Sequence, residues 1–170
     1  MYGPEATMLA NLNILLAKVT HLAQMEPNSS DSEPMTNLID IAPAFAFILD
    51  KGFVPGESEY KPQEFGNAVL VMTGTQFSLR FERDRGQVFI DVGNNIFGWY
   101  KLEYVLEFLD CINTQSQLGA PPEPRLLASL LQQLWEKVIA LFSTPEEISQ
   151  LQIFSKQKST ALLDKIFRRP

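Results

Sequence analysis

Side chains that could activate a nucleophile or bind a metal are scarce in this chain of 170 residues. The single histidine, His21, lies late in a predicted helix and away from its apolar stripe, and the single cysteine, Cys111, follows Leu109 in another predicted helix. A serine or cysteine nucleophile usually needs a neighbouring histidine as its base. We therefore interpret His21 as a surface residue and Cys111 as a small buried hydrophobe, and the sequence predicts no catalytic residues.

The sequence also lacks the usual patterns of metal-binding and phosphate-binding sites. Glu103 and Glu107 are four residues apart, as in di-iron helical bundles, but the Glu-x-x-His partner motif is absent, so a solvated helix face is the better interpretation. The nine glycines form no phosphate-binding loop, and we expect neither a cofactor nor a metal. An active site made only of Asp, Glu, Lys, Tyr or Arg side chains, including one of carboxylates alone, leaves no sequence pattern and stays open as the enzymatic alternative.

The balance of charge restricts the classes of partner. The chain has 14 Lys and Arg against 20 Asp and Glu, a net charge of −6, and the acidic excess falls in residues 1–64. Nucleic-acid binding depends on basic side chains that neutralise phosphates, so it is disfavoured. No apolar run approaches the ~20 residues of a membrane span, and one cysteine allows no internal disulfide. Because the start of the chain also lacks the pattern of a secretion signal, we expect a cytoplasmic protein that binds neither nucleic acid nor membrane.

The apolar periodicity predicts one α+β domain over residues 1–170, made of an N-terminal helix (1–25), a linker (26–35) and a body (36–170). The N-terminal helix has apolar residues at three- and four-residue spacing on one face, namely Met8, Leu12, Leu15, Leu16, Val19, Leu22 and Ala23. Ser, Asn, Asp and Pro dominate the linker, so this helix could be an arm that docks on the body or on a partner.

The body combines helices at both ends with a sheet between them. Helices are predicted over residues 38–51, 100–113, 124–142 and from 144 onward. Gly52 is placed to cap the first of them in a left-handed conformation. Thr144-Pro145-Glu146-Glu147 has the pattern of a capping box at the start of the last helix, which either runs to Phe167 or breaks near Lys158.

Residues that alternate between apolar and polar predict the strands of the sheet. The predicted strands cover residues 68–73, 75–83 and 87–92, with Phe53 and Val54 as a further edge strand. In the second strand Phe77, Leu79 and Phe81 share one face, and a three-residue turn at Asp84-Arg85-Gly86 follows it. Because helices and strands segregate along the chain, the fold class is α+β, an antiparallel meander of three to four strands packed against several helices.

Two stretches of the sheet region are candidate interaction surfaces. An aromatic loop contains Phe97, Trp99 and Tyr100, which are typical of a binding anchor or of a plug beneath the sheet, and we favour the core for at least Trp99. The polar sheet face carries Arg80 and Asp91, for which a solvated face with cross-strand charge pairs is the default interpretation.

Charged residues outside the sheet face supply two further candidates. In the stretch Arg83-Asp84-Arg85-Gly86, Arg83 and Arg85 could contact a ligand together, although a plain hairpin turn is the better interpretation. Glu57, Glu59 and Glu64 belong to an acidic stretch that could attract a basic partner.

The pattern of three segments, residues 47–53, 81–93 and 99–103, resembles that of a class of small bacterial proteins of unknown function. Some members of that class accompany polymorphic or contact-dependent toxins as immunity proteins. The resemblance covers residues 45–110 and includes no diagnostic motif. Since immunity proteins bind through surfaces peculiar to each toxin, it assigns no functional residue.

These observations favour a non-catalytic protein-binding module, such as an immunity protein or inhibitor whose acidic surface captures a basic protein. An alternative is a structural or assembly module that forms a homodimer through its N-terminal helix. The size and acidity of the chain also fit a secretion chaperone, which is the second alternative.

Overall fold

A computed structural model of the protein describes residues 41–61, 63, 67–85, 87–110 and 122–167. Several predictions fall outside these ranges. They concern the N-terminal helix (1–25), the linker (26–35), His21, Cys111 and the acidic residue Glu64.

The described residues form an α+β fold in which one sheet is followed by a group of helices. The strands are β1 (Val54–Lys61), β2 (Asn67–Thr73), β3 (Ser78–Asp84), β4 (Gln87–Asn94) and β5 (Gly98–Lys101). The helices are a 3₁₀ helix (Ala42–Phe45), α1 (Phe47–Asp50), α2 (Leu102–Asp110), α3 (Pro124–Gln133), α4 (Trp135–Ser143) and α5 (Pro145–Phe167). The predicted α+β fold class is therefore confirmed, although the sheet has more strands than were predicted.

The sheet is an antiparallel meander of five strands in the order β1-β2-β3-β4-β5, so the prediction of three to four strands was too low. The predicted edge strand at Phe53 and Val54 extends to Lys61, and it passes an irregularity between Pro55 and Ser58. β5 was not predicted. Its residues were assigned to the end of a loop and the start of a helix, but Tyr100 pairs with Val92 before the chain enters α2.

The turn between β3 and β4 is shorter than predicted. Asp84 pairs with Gln87, so the loop has two residues, not three. The first of them, Arg85, has a φ of 50°, the left-handed region that a tight hairpin requires.

All the helices contribute to one hydrophobic core on a single face of the sheet. Its aromatic centre is Trp135, whose ring lies 5.7 Å from that of Phe53, 5.4 Å from that of Phe77 and 5.7 Å from that of Phe47. The strand residues in this core share the inner face, namely Ala68, Leu70, Met72, Leu79, Phe81, Val88, Ile90 and Val92. Alternation along β3 predicted Leu79 and Phe81 in the core, and the structure confirms it.

Two predicted helices are interrupted. The helix predicted over 38–51 is a 3₁₀ turn followed by the short α1, and it ends as expected at Gly52, which has a φ of 83°. The helix predicted over 124–142 breaks at Leu134, where ψ is 13°. Leu134 and the next residue, Trp135, are both buried.

The last helix, α5, is continuous to Phe167. The capping box predicted at its start is not formed. The Thr144 hydroxyl donates to the carbonyl oxygen of Ala140 at 3.1 Å, in the preceding helix. Thr144 thus ends α4, and its backbone carbonyl accepts the N–H groups of Glu147 and Ile148.

Candidate functional site

The second face of the sheet, here called the outer face, differs from the core side. Its residues include Val69, Val71, Arg80, Glu82, Phe89, Asp91, Trp99 and Lys101, as the strand registers show. None of these residues belongs to the hydrophobic core formed by the described helices. The outer face is thus an aromatic and charged surface on a rigid support.

An arginine held between a carboxylate and an aromatic ring lies at the centre of the outer face. Arg80 donates to Asp91 Oδ2 from Nε at 3.1 Å and from Nη2 at 2.5 Å, and Glu82 lies 3.9 Å away. The guanidinium carbon is 5.0 Å from the centre of the Trp99 ring. The charge pair expected across these strands is confirmed, and the same guanidinium makes a cation–π contact with the Trp99 ring.

The charged row continues from the sheet into the helices. Lys101 is the cross-strand neighbour of Asp91, and its Nζ lies 3.9 Å from Glu103. Glu107, one turn later on α2, pairs with Lys158 of α5. Glu103 and Glu107 therefore lie between α2 and its neighbours, and their interpretation as a solvated helix face was wrong.

Burial raises the pKa of Glu103 above its ordinary value. The nearby Lys101 lowers that pKa, and the negative charges of Glu107 and Asp91 raise it further. Glu103 thus belongs to the junction of β5 and α2.

An open groove of about 450 Å³ lies at the end of the outer face where β2 meets β3 and β4 meets β5. Its walls include Glu57, Thr73, Gln76, Ile96 and Trp99. Glu57 is the only charged residue among the described residues that line it. The groove thus combines one carboxylate, the apolar side chains of Val71, Phe77, Ile96 and Trp99, and several amide or hydroxyl groups.

The loop that carries Ile96 is held by its own hydrogen bonds. Asn94 Oδ1 accepts the N–H groups of Ile96 at 2.9 Å and Phe97 at 2.8 Å, and Asn94 Nδ2 donates to the Gln76 carbonyl at 3.1 Å. The Tyr100 hydroxyl donates to the Phe97 carbonyl at 2.7 Å. Ile96 nevertheless remains 82% exposed, so a rigid loop presents a large apolar side chain to solvent.

Gly93 allows this loop to lie close to β4. A Cβ at this position would be 2.0 Å from the Gly98 carbonyl oxygen, a distance that real Cβ atoms do not adopt. Gly98 itself has a φ of 85°, which favours glycine. These two glycines therefore set the position of the groove wall.

The structure brings together part of the predicted interaction surface. Glu57 and Trp99 line one groove, although they were predicted on separate stretches, and Arg80 contacts Trp99 from the adjoining surface. Glu59 lies beside Val69 at the edge of the same face, 3.5 Å from Lys61.

The aromatic loop divides differently from the prediction. Trp99 was favoured for the core, but it is only partly buried and lies on the outer face. Tyr100 is the residue that packs in the core, because neighbouring strand residues point to opposite faces. Phe97 packs against the edge of that core.

The two arginines predicted at the hairpin do not form a common surface. Arg83 is 1% exposed on the inner face, since it belongs to β3 and not to the turn. Arg85 is exposed at the turn, and its backbone N–H donates to Asn67 at 3.3 Å. Both lie at the opposite end of the sheet from the groove, so neither contributes to it.

Ile96 begins the candidate stretch that ends at Tyr100, but only the aromatic residues of that stretch were predicted to bind. Its signal was the Asn94-Asn95 pair before it, because asparagine side chains accept backbone N–H groups two and three residues later. Such a turn fixes the following residue outside the sheet. Thr73 was not predictable, since only its register opposite Ser78 brings it to the groove. Gln76 was predicted in a strand over 75–83, but that strand begins at Ser78, so Gln76 lies in the turn before it.

In the described part of the chain, no group of three or more histidine, cysteine or acidic residues could hold a metal ion. No helix in these same ranges has the length and apolar character needed to cross a membrane. Comparison of the chain with protein-family models, with curated proteins and with solved structures finds no match.

Proposed function

We propose that the protein is a binding module that captures another protein through the groove and the adjoining outer face. The observation that supports this proposal most directly is the convergence of Glu57, Ile96 and Trp99 on one open groove. A large exposed apolar residue beside a partly buried tryptophan is typical of the anchor residues of protein interfaces.

The chemistry of the groove favours a basic segment as its occupant. Glu57 attracts a lysine or arginine, while Ile96 and Trp99 contact the aliphatic part of such a side chain. Thr73 and Gln76 offer hydroxyl and amide groups to the backbone of an extended peptide. A volume of about 450 Å³ accommodates a few side chains rather than a whole domain.

An immunity protein or inhibitor of a basic protein is the form of this function that the acidic net charge supports. Long-range attraction by a net charge of −6 speeds the encounter with such a partner, and contacts in the groove would select it. Capture should therefore weaken as ionic strength rises.

The test is an affinity capture from the native lysate with the tagged full-length chain and two matched variants. Ile96→Lys removes the apolar anchor and repels a basic partner, whereas Ile153→Lys makes the same change at an exposed position on α5. We expect a stoichiometric protein to be captured by the wild type and by Ile153→Lys, and to be lost with Ile96→Lys. Equal capture by all three chains would reject the groove as the binding site.

A further inference from the structure

The register of β1 against β2 shifts by one residue between Pro55 and Ser58. Two residues of β1, Gly56 and Glu57, lie where β2 has only Val71. An extra residue of this kind is a β-bulge, which bends its strand and changes the direction of side chains. Bulges are frequent beside binding and active sites, and this one lies at the wall of the groove.

The bulge decides which face of the sheet the rest of β1 presents. Residues that pair directly in an antiparallel sheet have their side chains on the same face. Beyond the bulge, Glu59 pairs with Val69 of the outer face, whereas Tyr60 pairs with Ala68 and packs against the core. If the register before the bulge continued, these two assignments would be exchanged, because a shift of one residue moves every side chain of a strand to the opposite face.

The acidic residue within the bulge is one of the residues that form the groove. Glu57 is exposed, and it lines the groove together with Thr73 and Trp99. If the register continued from Pro55 without the extra residue, Glu57 would lie opposite Leu70, which is buried on the inner face. The bulge therefore keeps the only carboxylate among the described groove residues on the side of the groove.

The first residue of the bulge lies too close to β2 for a side chain. A Cβ at Gly56 would be 2.8 Å from the hydroxyl oxygen of Thr73 and 3.3 Å from the carbonyl oxygen of Val71. The carbonyl belongs to the backbone of β2, so it cannot rotate away as a side chain can. A residue larger than glycine therefore displaces the bulge from β2, and Glu57 moves with it.

We infer that Gly56 is a positioning residue of the groove. The bulge that it allows holds the Glu57 carboxylate near Trp99, and that carboxylate gives the groove its preference for cationic groups. Gly56 has no side chain to contact an occupant and acts through Glu57. The inference rests on the proposed function for the role of the groove, whereas the position of Glu57 is measurable without a partner.

Quenching of Trp99 fluorescence by caesium and iodide ions measures the charge at the groove. Each chain carries Trp135→Phe, so that Trp99 is its only tryptophan, and potassium chloride keeps the ionic strength constant. A nearby carboxylate attracts caesium and repels iodide, so Glu57→Gln should lower the ratio of caesium to iodide quenching about twofold. Glu59→Gln is the matched control, because it removes the same charge from the same strand outside the described lining of the groove.

Substitution of the glycine should lower the same ratio while Glu57 stays unchanged. Gly56→Ala displaces the bulge through the contact of its Cβ with Thr73. The double variant Gly56→Ala with Thr73→Ala should recover most of the ratio, because it lacks the hydroxyl that lies 2.8 Å from that Cβ. Thr73→Ala alone should keep the wild-type ratio, and circular dichroism verifies that each variant is folded.

Three results would overturn the inference. An unchanged ratio in Glu57→Gln would show that the carboxylate does not lie near Trp99. An unchanged ratio in Gly56→Ala would show that its position does not require glycine, and an equally low ratio in the double variant would exclude the contact with Thr73 as the cause. Because no partner enters this measurement, its failure is distinct from a failure of the capture experiment.

Discussion

Successive residues of β3 point to opposite faces of one sheet and meet different surroundings. On the inner face, Leu79 and Phe81 pack in a core shared with the helices. On the outer face, Arg80 pairs with Asp91 and contacts the Trp99 ring. Apolar burial on one side thus stabilises the fold, whereas the other side presents charged and aromatic side chains outside that core.

This comparison predicts that substitutions on the inner face reduce stability most. Leu79→Ala should lower the free energy of unfolding by about 3 kcal/mol, because a fully buried leucine leaves a cavity. Ile96→Lys, at the exposed groove wall, should change it by less than about 0.5 kcal/mol. Urea denaturation of the two variants measures the contrast, and similar losses in both would contradict the division into two faces.

The second prediction concerns the close approach of the β4–β5 loop to β4. Gly93→Ala should cost about 1–3 kcal/mol, because its Cβ would overlap the Gly98 carbonyl. Gly52→Ala is the matched control. A Cβ added at the exposed Gly52 would have no neighbouring atom within 4 Å, so only the φ of 83° is unfavourable there, at about 1 kcal/mol.

Thermal unfolding of both glycine variants, with binding of the captured partner as a second readout, checks this prediction. Gly93→Ala should also weaken binding, because the loop that carries Ile96 must move. Normal binding by a destabilised Gly93→Ala chain would show that the groove does not depend on this approach.

Alternation made the two faces largely predictable from the sequence. It assigned Leu79 and Phe81 to the core and Arg80 to the opposite face, as the structure shows. β1 was recognised only at its first residues, because Pro55 and Gly56 are unfavourable in strands. The sheet accommodates them at an edge and at an irregularity of register.

The groove was less predictable, because it depends on contacts between residues distant in sequence. Glu57 and Trp99 were both candidates, but only the order of the five strands and the path of the loops place them on one groove. Trp99 was favoured for the core from its size, and the strand period instead buries Tyr100. Arg83 was a candidate to contact a ligand together with Arg85, but it lies in β3 and is buried on the inner face.

A third prediction sharpens the description of the outer face. Arg80 and Asp91 are partly buried, with 31% and 13% of their side chains exposed, so their interaction is less screened than that of a surface pair. A double-mutant cycle with Arg80→Gln and Asp91→Asn should give a coupling energy of about 1 kcal/mol. The exposed pair of Glu59 and Lys61 should give about 0.3 kcal/mol. Equal couplings would indicate that the outer face is fully solvated.

The smallest expected effect is the pH dependence contributed by Glu103. Burial raises its pKa in the folded state, so the folded protein binds more protons than the unfolded chain as this group titrates. Stability should therefore fall as pH rises from the ordinary range of a glutamate through the raised pKa. Glu103→Gln should remove that fall and leave the protein no less stable at neutral pH.

Urea denaturation between pH 4 and pH 8 measures this contribution, with Glu136→Gln as the control for the loss of an exposed carboxylate. A decline in stability that persists unchanged in Glu103→Gln would assign the pH dependence to other groups.

The most direct test of the outer face as a binding surface is acrylamide quenching of tryptophan fluorescence. The chain has two tryptophans, of which Trp135 is 6% exposed and Trp99 lies at the groove, so a Trp135→Phe variant isolates the signal of Trp99. We predict that acrylamide quenches Trp99 in the free protein, and that the captured partner protects it in the complex. Equal quenching of Trp99 with and without the bound partner would contradict binding at this face.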